Sequence, residues 1–240
     1  MSMHSKLRSS SHIASGSRGI GLIVLLSAAL SLPAHASALG DFEAGYSALL
    51  HKNYDRAIAL FTDAIASGDL RPANLALAYH YRGAEYLKTG RDDEAIADFD
   101  RALALNATLF TAYYDRGVAF KRKGDLTRAI ADYSEAIRLH PNLNYFYLHR
   151  GAAYAANSQY EEAIADYKLA LFYRPDSVPA FVALGDAHLA QGRNVEALAD
   201  YRQAMRRHGD FLKLYPGVAA KLTALGATPE ANKLVLRDTR

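Results

Sequence analysis

Arginine and aspartate recur together along this chain at a fixed distance. The arginines lie 34 residues apart and each is followed 16 residues later by an aspartate, giving Arg82 with Asp98, Arg116 with Asp132, and Arg150 with Asp166. A guanidinium and a carboxylate can form a bidentate ion pair, whereas acid–base catalysis uses one special pair of groups in a chain. The repetition therefore predicts structural ion pairs. The alternative is solvated surface charges, for which a pair contributes about 0 to 1 kcal/mol.

The other residues capable of catalysis or metal binding do not form a recognisable site. The chain has nine His and no Cys, which excludes disulfides and thiolate metal sites. Three His precede residue 37, and the others occur singly, without an HExxH motif, a GxSxG motif or a phosphate-binding loop. We therefore expect no enzyme activity, no metal site and no cofactor.

Uncharged residues also recur at intervals of 34 residues. Glycine, aromatic residues and alanine recur at Gly83, Gly117, Gly151 and Gly185, at Phe99, Tyr133, Tyr167 and Tyr201, and at Ala102, Ala136, Ala170 and Ala204. A period of this length accommodates two helices of about 12 to 14 residues, whose axes approach where side chains are small. We expect the glycines to lie against the alanines, with the rings beside them. Each unit then has an apolar face that only the next unit covers.

This pattern resembles the tetratricopeptide repeat (TPR) family. The resemblance implies an all-α fold, a right-handed superhelical solenoid of antiparallel helix pairs. Five repeats are predicted, at residues 38–71, 76–109, 110–143, 144–177 and 178–211. Four additional residues near Gly68 to Asn74 predict a longer loop after the first repeat. Residues 212–240 are predicted to form a degenerate sixth repeat or capping helices.

TPR proteins generally bind a segment of another protein in the concave groove lined by the first helix of each repeat, and the resemblance implies the same here. The chain has 16 Tyr, and all but four fall at positions that packing explains. The four are Tyr46, Tyr81, Tyr114 and Tyr145, and their places in the repeat share one helix face. They predict an oblique stripe of rings across the groove. The alternative is that these rings only cover neighbouring helices.

Further residues complete the predicted groove. Phe42, His80, Asp115 and His149 are expected beside the stripe, and Lys88, Lys121 and Arg122 towards one rim. The resulting hypothesis is a scaffold that binds a protein or peptide. The alternative is a structural assembly subunit of an envelope complex that packs through its edges and caps. The identity of the partner and the oligomeric state stay open at this stage.

Residues 1–36 have the pattern of a secretory signal. Basic residues without any acidic residue precede an apolar run at residues 20–32, and small residues flank His35 at Ala34 and Ala36. The run is shorter than the roughly 20 residues that cross a bilayer. The sequence therefore predicts cleavage near Ala36 and a periplasmic or secreted protein without a membrane span. A retained anchor is the alternative.

The charge of the chain comes from that leading segment. Lys6, Arg8 and Arg18 account for the formal charge of +3, and residues 37–240 have 25 basic and 25 acidic residues. A balanced chain gives no indication of a nucleic-acid or anionic-membrane surface. We therefore expect a protein or peptide as the partner, with neither nucleic acid nor membrane.

Overall fold

The computed structural model describes residues 37–207 and 211–227, and within these ranges the regular elements are helices. They are α1 (Ala38–Leu50), α2 (Tyr54–Ala66), α3 (Pro72–Lys88), α4 (Asp92–Leu105), α5 (Phe110–Arg122), α6 (Leu126–Leu139), α7 (Asn144–Ala156), α8 (Tyr160–Tyr173), α9 (Val178–Ala190), α10 (Asn194–Arg207), α11 (Phe211–Leu214) and α12 (Pro216–Ala224). The predicted all-α class is confirmed. The predicted signal, residues 1–36, lies outside the described residues, as do residues 228–240.

Helices α1 to α10 form five antiparallel pairs stacked as the predicted solenoid. We call α1, α3, α5, α7 and α9 the inner helices, and α2, α4, α6, α8 and α10 the outer helices. From the second pair on, each inner helix packs against the outer helix of its own pair and against that of the preceding pair. Neighbouring inner helices also touch, as α1 does with α3 and α3 with α5. These contacts place the inner helices on the concave side.

Each pair closes on a glycine of the inner helix that faces a ring of the outer helix. A Cβ added to Gly117 would lie 2.9 Å from Cε1 of Tyr133, and one added to Gly151 would lie 2.7 Å from Cε1 of Tyr167. Tyr133 is fully buried. We expected alanine side chains opposite the glycines, but the ring is nearer, followed by the backbone oxygen of Ala129 at 3.3 Å. The glycine thus makes room for an aromatic ring.

The turn inside each pair contains one residue in the left-handed backbone region. These residues are Lys52, Gly90, Gly124, Ser158 and Gly192, all at the equivalent place in their repeats. Gly226, after α12, continues the series with a φ of +76°. This agreement supports the proposed register of residues 212–226 as the first half of a sixth repeat.

The four additional residues after the first repeat extend a helix, so the prediction of a longer loop was wrong. Helix α3 has 17 residues, compared with 13 in α5. It begins at Pro72, and proline is favoured in the first turn because its missing N–H would have no partner there. The extra residues therefore add one turn to the start of α3.

The C-terminal part of the described chain covers the last helix pair. The chain leaves helical geometry at Tyr215, where φ is −127°, as the following Pro216 favours. In α12, Val218 and Leu222 are buried in a cluster with Tyr201 of α10. Helix α12 thus occupies the place of a sixth inner helix. A sixth outer helix stays a prediction, because its residues lie outside the described ranges.

The recurring Arg–Asp pairs join the two helices of a repeat. Arg116 donates from Nε to Oδ2 of Asp132 at 2.8 Å and from Nη2 to Oδ1 at 2.7 Å. The same bidentate geometry occurs in the pairs Arg82–Asp98 and Arg150–Asp166. The side chain of Asp132 is 7% exposed, so this is a buried pair rather than a solvated one.

The same arginines reach the outer helix of the preceding repeat. Nη1 donates to a third partner, which is Thr62 for Arg82, Asp100 for Arg116 and Ser134 for Arg150. Each arginine therefore connects three helices, two in its own repeat and one in the repeat before it. These contacts tie the stack together across repeat boundaries.

The fifth repeat replaces this arrangement with a histidine. Leu184 stands at the place of the arginine, and Lys168 stands at the place of the third partner, where its charge would repel a guanidinium. Nδ1 of His188 lies 2.7 Å from Oδ2 of Asp200, and both residues are largely buried. Burial raises the pKa of Asp200, and the hydrogen bond with His188 opposes that rise.

Gly117→Leu should lower the free energy of unfolding by about 1 to 3 kcal/mol, because a branched side chain would overlap the ring of Tyr133. Thermal or urea unfolding followed by circular dichroism measures the change. Gly217→Leu is the matched control, since a Cβ there has no atom within 4 Å. Equal stability of Gly117→Leu and the parent would show that the glycine–ring contact does not limit packing.

Arg116→Leu should lower the free energy of unfolding by about 3 to 5 kcal/mol, because it leaves the buried carboxylate of Asp132 without its partner. Burial raises the pKa of Asp132 and the hydrogen bond from Arg116 opposes the rise, so the folded-state pKa should rise further in the variant. With this raised pKa, the folded variant binds protons more strongly than its unfolded state does, so acid stabilises it. The loss of unfolding free energy relative to the parent should therefore be largest at neutral pH and should shrink in acid.

The control for this experiment is Arg138→Leu, which breaks an exposed pair with Glu135 and should cost less than about 1 kcal/mol. Urea unfolding across a pH series measures both variants. A loss for Arg116→Leu as small as that of the control, or one independent of pH, would contradict the structural role.

Candidate binding groove

The candidate groove is lined by side chains that bridge neighbouring inner helices. Phe42 contacts Tyr81 with ring centroids 6.2 Å apart, Nε2 of His80 lies 2.9 Å from Oδ2 of Asp115, and the hydroxyl of Tyr114 lies 3.0 Å from Nε2 of His149. The three contacts occur at equivalent places in successive repeats. They bring six residues of the predicted groove into one row along the inner face.

The four groove tyrosines form two pairs. The ring centroids are 5.4 Å apart for Tyr46 and Tyr81, and 5.1 Å apart for Tyr114 and Tyr145. His80 stands between the pairs, 5.4 Å from the ring of Tyr81 and hydrogen-bonded to Asp115. The stripe expected from the sequence is thus interrupted by a polar centre, which we define as His80, Asp115 and His149.

Tyr81 and Tyr114 also contribute to packing. The ring of Tyr81 lies 5.7 Å from that of Phe61, and the ring of Tyr114 lies 5.9 Å from Tyr133 and 5.4 Å from Phe146. Burial raises the pKa of both phenols. The alternative prediction, that the rings cover neighbouring helices, therefore applies in part to Tyr81 and Tyr114. Both rings pack on neighbouring helices and also face the groove.

His149 is an uncharged member of the polar centre. Burial, and secondarily the charge of Lys121, lower the pKa of His149. At neutral pH the imidazole is therefore uncharged, and its Nε2 shares a hydrogen bond with the Tyr114 hydroxyl. Asp115 adds acceptor oxygens at the same place. The centre of the groove can thus form hydrogen bonds with a bound chain while the rings on either side offer apolar contact.

The three predicted rim cations have different surroundings. Nζ of Lys88 lies 2.5 Å from Oε1 of the buried Glu85, and Nη1 of Arg122 donates to the backbone oxygen of Leu87 at 2.6 Å. Both side chains are therefore engaged within the fold. Lys121 lies close enough to His149 for its charge to lower the pKa of that imidazole.

Helix α1 adds exposed apolar surface that the sequence reasoning found only in part. Leu39, Tyr46 and Leu50 are 48%, 42% and 63% exposed, and their spacing places them on one helix face. We call these three residues the α1 stripe. The recurrence pattern predicts Tyr46 as a groove residue but neither leucine. Leu39 is at the place that Tyr145 has in the fourth repeat, which could have identified it.

The described residues offer neither a metal site nor a membrane helix. In residues 37–207 and 211–227, no three His, Asp or Glu side chains are grouped so that they could hold a metal ion. In the same part of the chain, no helix has both the length and the apolar character that a bilayer requires.

Family models of the tetratricopeptide repeat match the central repeats. The model described as TPR repeat matches residues 83–124 and 153–192, and the model described as tetratricopeptide repeat matches residues 110–143. No curated protein matches the chain.

Solved structures with the same arrangement of helices include two of MamA. A crystal structure of MamA protein is 22% identical with a TM-score of 0.66, covering 73% of this chain and 94% of that one. MamA from Desulfovibrio magneticus RS-1 is 18% identical with a TM-score of 0.66, covering 71% and 94%. The TPR protein TTC0263 of Thermus thermophilus is 25% identical with a TM-score of 0.57, covering 78% and 100%. This chain therefore contains tetratricopeptide repeats and has the TPR solenoid fold.

Proposed function

We propose that this chain is a non-catalytic, exported scaffold that captures a protein or peptide segment in the groove of its inner helices. The TPR fold supports a binding role, because stacked repeats form an extended concave surface. The groove also combines exposed rings with hydrogen-bonding groups, which suits recognition of a polypeptide better than chemical conversion of a substrate.

The observation that carries the proposal is the α1 stripe. Leu39, Tyr46 and Leu50 are largely exposed although they are apolar, so the packing of the repeats does not account for their side chains. Tyr81 continues this surface from α1 onto α3. A contiguous apolar surface on a concave wall is a typical site for a partner.

The arrangement favours a segment with apolar side chains at one end and accessible backbone groups in the middle. Such a segment would cover the α1 stripe and place its backbone N–H and C=O groups near Asp115 and Lys121. The rings of Tyr114 and Tyr145 would contact the other end of the segment. Tyrosine suits reversible capture because its ring offers apolar area with little conformational entropy to lose and its hydroxyl stays hydrogen-bonded.

Export rests on the signal pattern of residues 1–36, and the start of α1 is compatible with cleavage after Ala36. The hydroxyl of Ser37 accepts a hydrogen bond from the backbone N–H of Gly40 at 3.1 Å and so caps α1. Cleavage after Ala36 would leave this cap and all later helices intact. The mature chain would then be periplasmic or secreted.

The alternative function is a structural subunit of an envelope complex. The observation that favours it is the exposed apolar side chain of Phe172 on outer helix α8, 75% exposed. An assembly subunit is expected to show apolar residues on outer faces, whereas a groove binder requires them only on the inner face.

Tyr46→Ala combined with Leu50→Ala should weaken peptide capture at least about tenfold, because truncating an aromatic anchor typically costs about 2 kcal/mol or more. The probes are peptides selected against the purified protein from a random phage-displayed library, with affinities measured by fluorescence anisotropy. The melting temperature should stay near that of the parent, since both side chains are exposed. Tyr81 and Tyr114 are poorer choices because their rings also pack.

Leu105→Ala is the matched control, since Leu105 is 42% exposed, as Tyr46 is, but lies at the end of outer helix α4. It should leave the affinity unchanged. The groove proposal would be contradicted if every selected peptide bound the double variant as tightly as the parent, or if the library yielded no specific peptide.

The chain isolated from the producing cells should begin at Ser37, because the small residues around His35 suit a signal peptidase. N-terminal sequencing after fractionation measures this directly. A soluble cytosolic chain that begins at Met1 would contradict export while leaving the groove proposal open to its own test.

A further inference from the structure

Outer helix α8 has large apolar side chains at two places where the other outer helices have polar residues or alanine. Leu169 and Phe172 are 41% and 75% exposed. The equivalent residues are Asp63 and Ala66 in α2, Arg101 and Ala104 in α4, Glu135 and Arg138 in α6, and Gln203 and Arg206 in α10. Because the repeats pack alike, these places do not require a large apolar side chain for folding. Leu169 and Phe172 therefore need a separate explanation.

The ring of Phe172 packs against another aromatic ring. It stands edge-on to Tyr173 with centroids 5.2 Å apart, and Tyr173 stacks on Tyr147 at 5.5 Å with an interplanar angle of 20°. The hydroxyl of Tyr147 donates to the backbone oxygen of Pro141 at 2.9 Å. We call Leu169, Phe172 and Tyr173 the α8 patch. Ring contacts that already exist in the unbound protein restrict these side chains, and such restriction reduces the entropy lost on binding.

Exposed cations surround the α8 patch. Lys168 and Arg174 adjoin it in sequence, and Arg138 and Arg206 occupy the place of Phe172 in the two neighbouring outer helices. Nε of Arg207 donates to the backbone oxygen of Pro175 at 3.2 Å, which places the end of α10 beside the end of α8.

Fewer acidic side chains adjoin the patch. Glu135 is paired with Arg138 at 2.9 Å and Asp176 with Arg174 at 3.2 Å. Lys168 lies close enough to the largely buried Asp200 for its charge to lower the pKa of that carboxyl. The surroundings of the patch are therefore positive on balance, although residues 37–240 as a whole are neutral. A partner with the opposite charge would be attracted to this face.

We propose that the α8 patch is a docking surface for an acidic amphipathic segment of a partner protein. Apolar side chains of the segment cover Leu169 and Phe172, and its carboxylates meet Lys168 and Arg206. A second copy of this chain fits less well, because two-fold packing of the patch on itself brings like cations together. The surface lies on the outer helices and does not depend on the groove of the inner helices.

The test uses two labelled synthetic amphipathic peptides with the same leucine and phenylalanine face. One has glutamate on the flanks of that face and the other has lysine. Fluorescence anisotropy with the purified protein should show binding of the glutamate peptide at least about tenfold tighter than that of the lysine peptide, with the difference shrinking at high salt because exposed charges are screened.

Two variants locate the binding. Leu169→Gln combined with Phe172→Ala introduces residue types that α10 and α4 already have at these places, and it should reduce the affinity at least about tenfold without loss of helicity. Arg206→Glu leaves the apolar residues intact and should reduce the preference for the glutamate peptide. Arg101→Gln, at the place of Leu169 in α4, is the control and should change neither value.

Several outcomes would overturn the proposal. They are equal binding of the two peptides, no binding of the glutamate peptide, and full affinity in the Leu169→Gln, Phe172→Ala variant. Sedimentation equilibrium tests whether a second copy of this chain binds the patch instead. If the parent forms dimers that this variant abolishes, the α8 patch is an interface between copies of the chain and the acidic partner is wrong. Peptides that bind the groove should not compete with the glutamate peptide.

Discussion

The contact between a glycine and an aromatic ring inside each helix pair is the constraint on which the rest of the structure depends. At Gly185 an added Cβ would lie 2.7 Å from Cε1 of Tyr201, so any other residue would force the ring or the helices to shift. The same close contact between a glycine and a ring occurs in all five pairs. A solenoid is stabilised by its repeats and by the interfaces between neighbouring repeats. Because this contact recurs in every pair, each repeat presents the same shape to the next one.

The arginine contacts between repeats depend on this geometry, and they are absent from the fifth repeat. Arg82, Arg116 and Arg150 each reach a polar residue of the preceding outer helix. In the fifth repeat Leu184 replaces the arginine, so the charge of Lys168 has no guanidinium beside it. Lys168 is also the cation that adjoins Leu169 in the α8 patch. The loss of the arginine contacts at this boundary and the presence of Lys168 beside the patch thus come from the same two residue differences between repeats.

The period of the sequence was enough to predict the helices and their pairing, because recurring residues pack in the same way in every repeat. It could not predict contacts that join one repeat to the next with an offset. His80 and Asp115 are an example, since neither residue type recurs at its place. The extra turn of α3 was missed for a different reason. Four inserted residues can lengthen a loop or a helix with the same effect on spacing, and Pro72 is compatible with both.

The groove prediction was limited by the assumption that residues outside the recurring pattern are free of packing duties. Tyr81 and Tyr114 do not recur, yet both rings lie against buried aromatic residues. Non-recurrence together with exposure is the stricter criterion, and the aromatic residues with the largest exposed fraction that meet it are Tyr46 on the inner face and Phe172 on the outer face. These residues belong to the first and the fourth repeat. The two proposed surfaces therefore belong to different helices, so the residues of one can be changed while those of the other stay as they are.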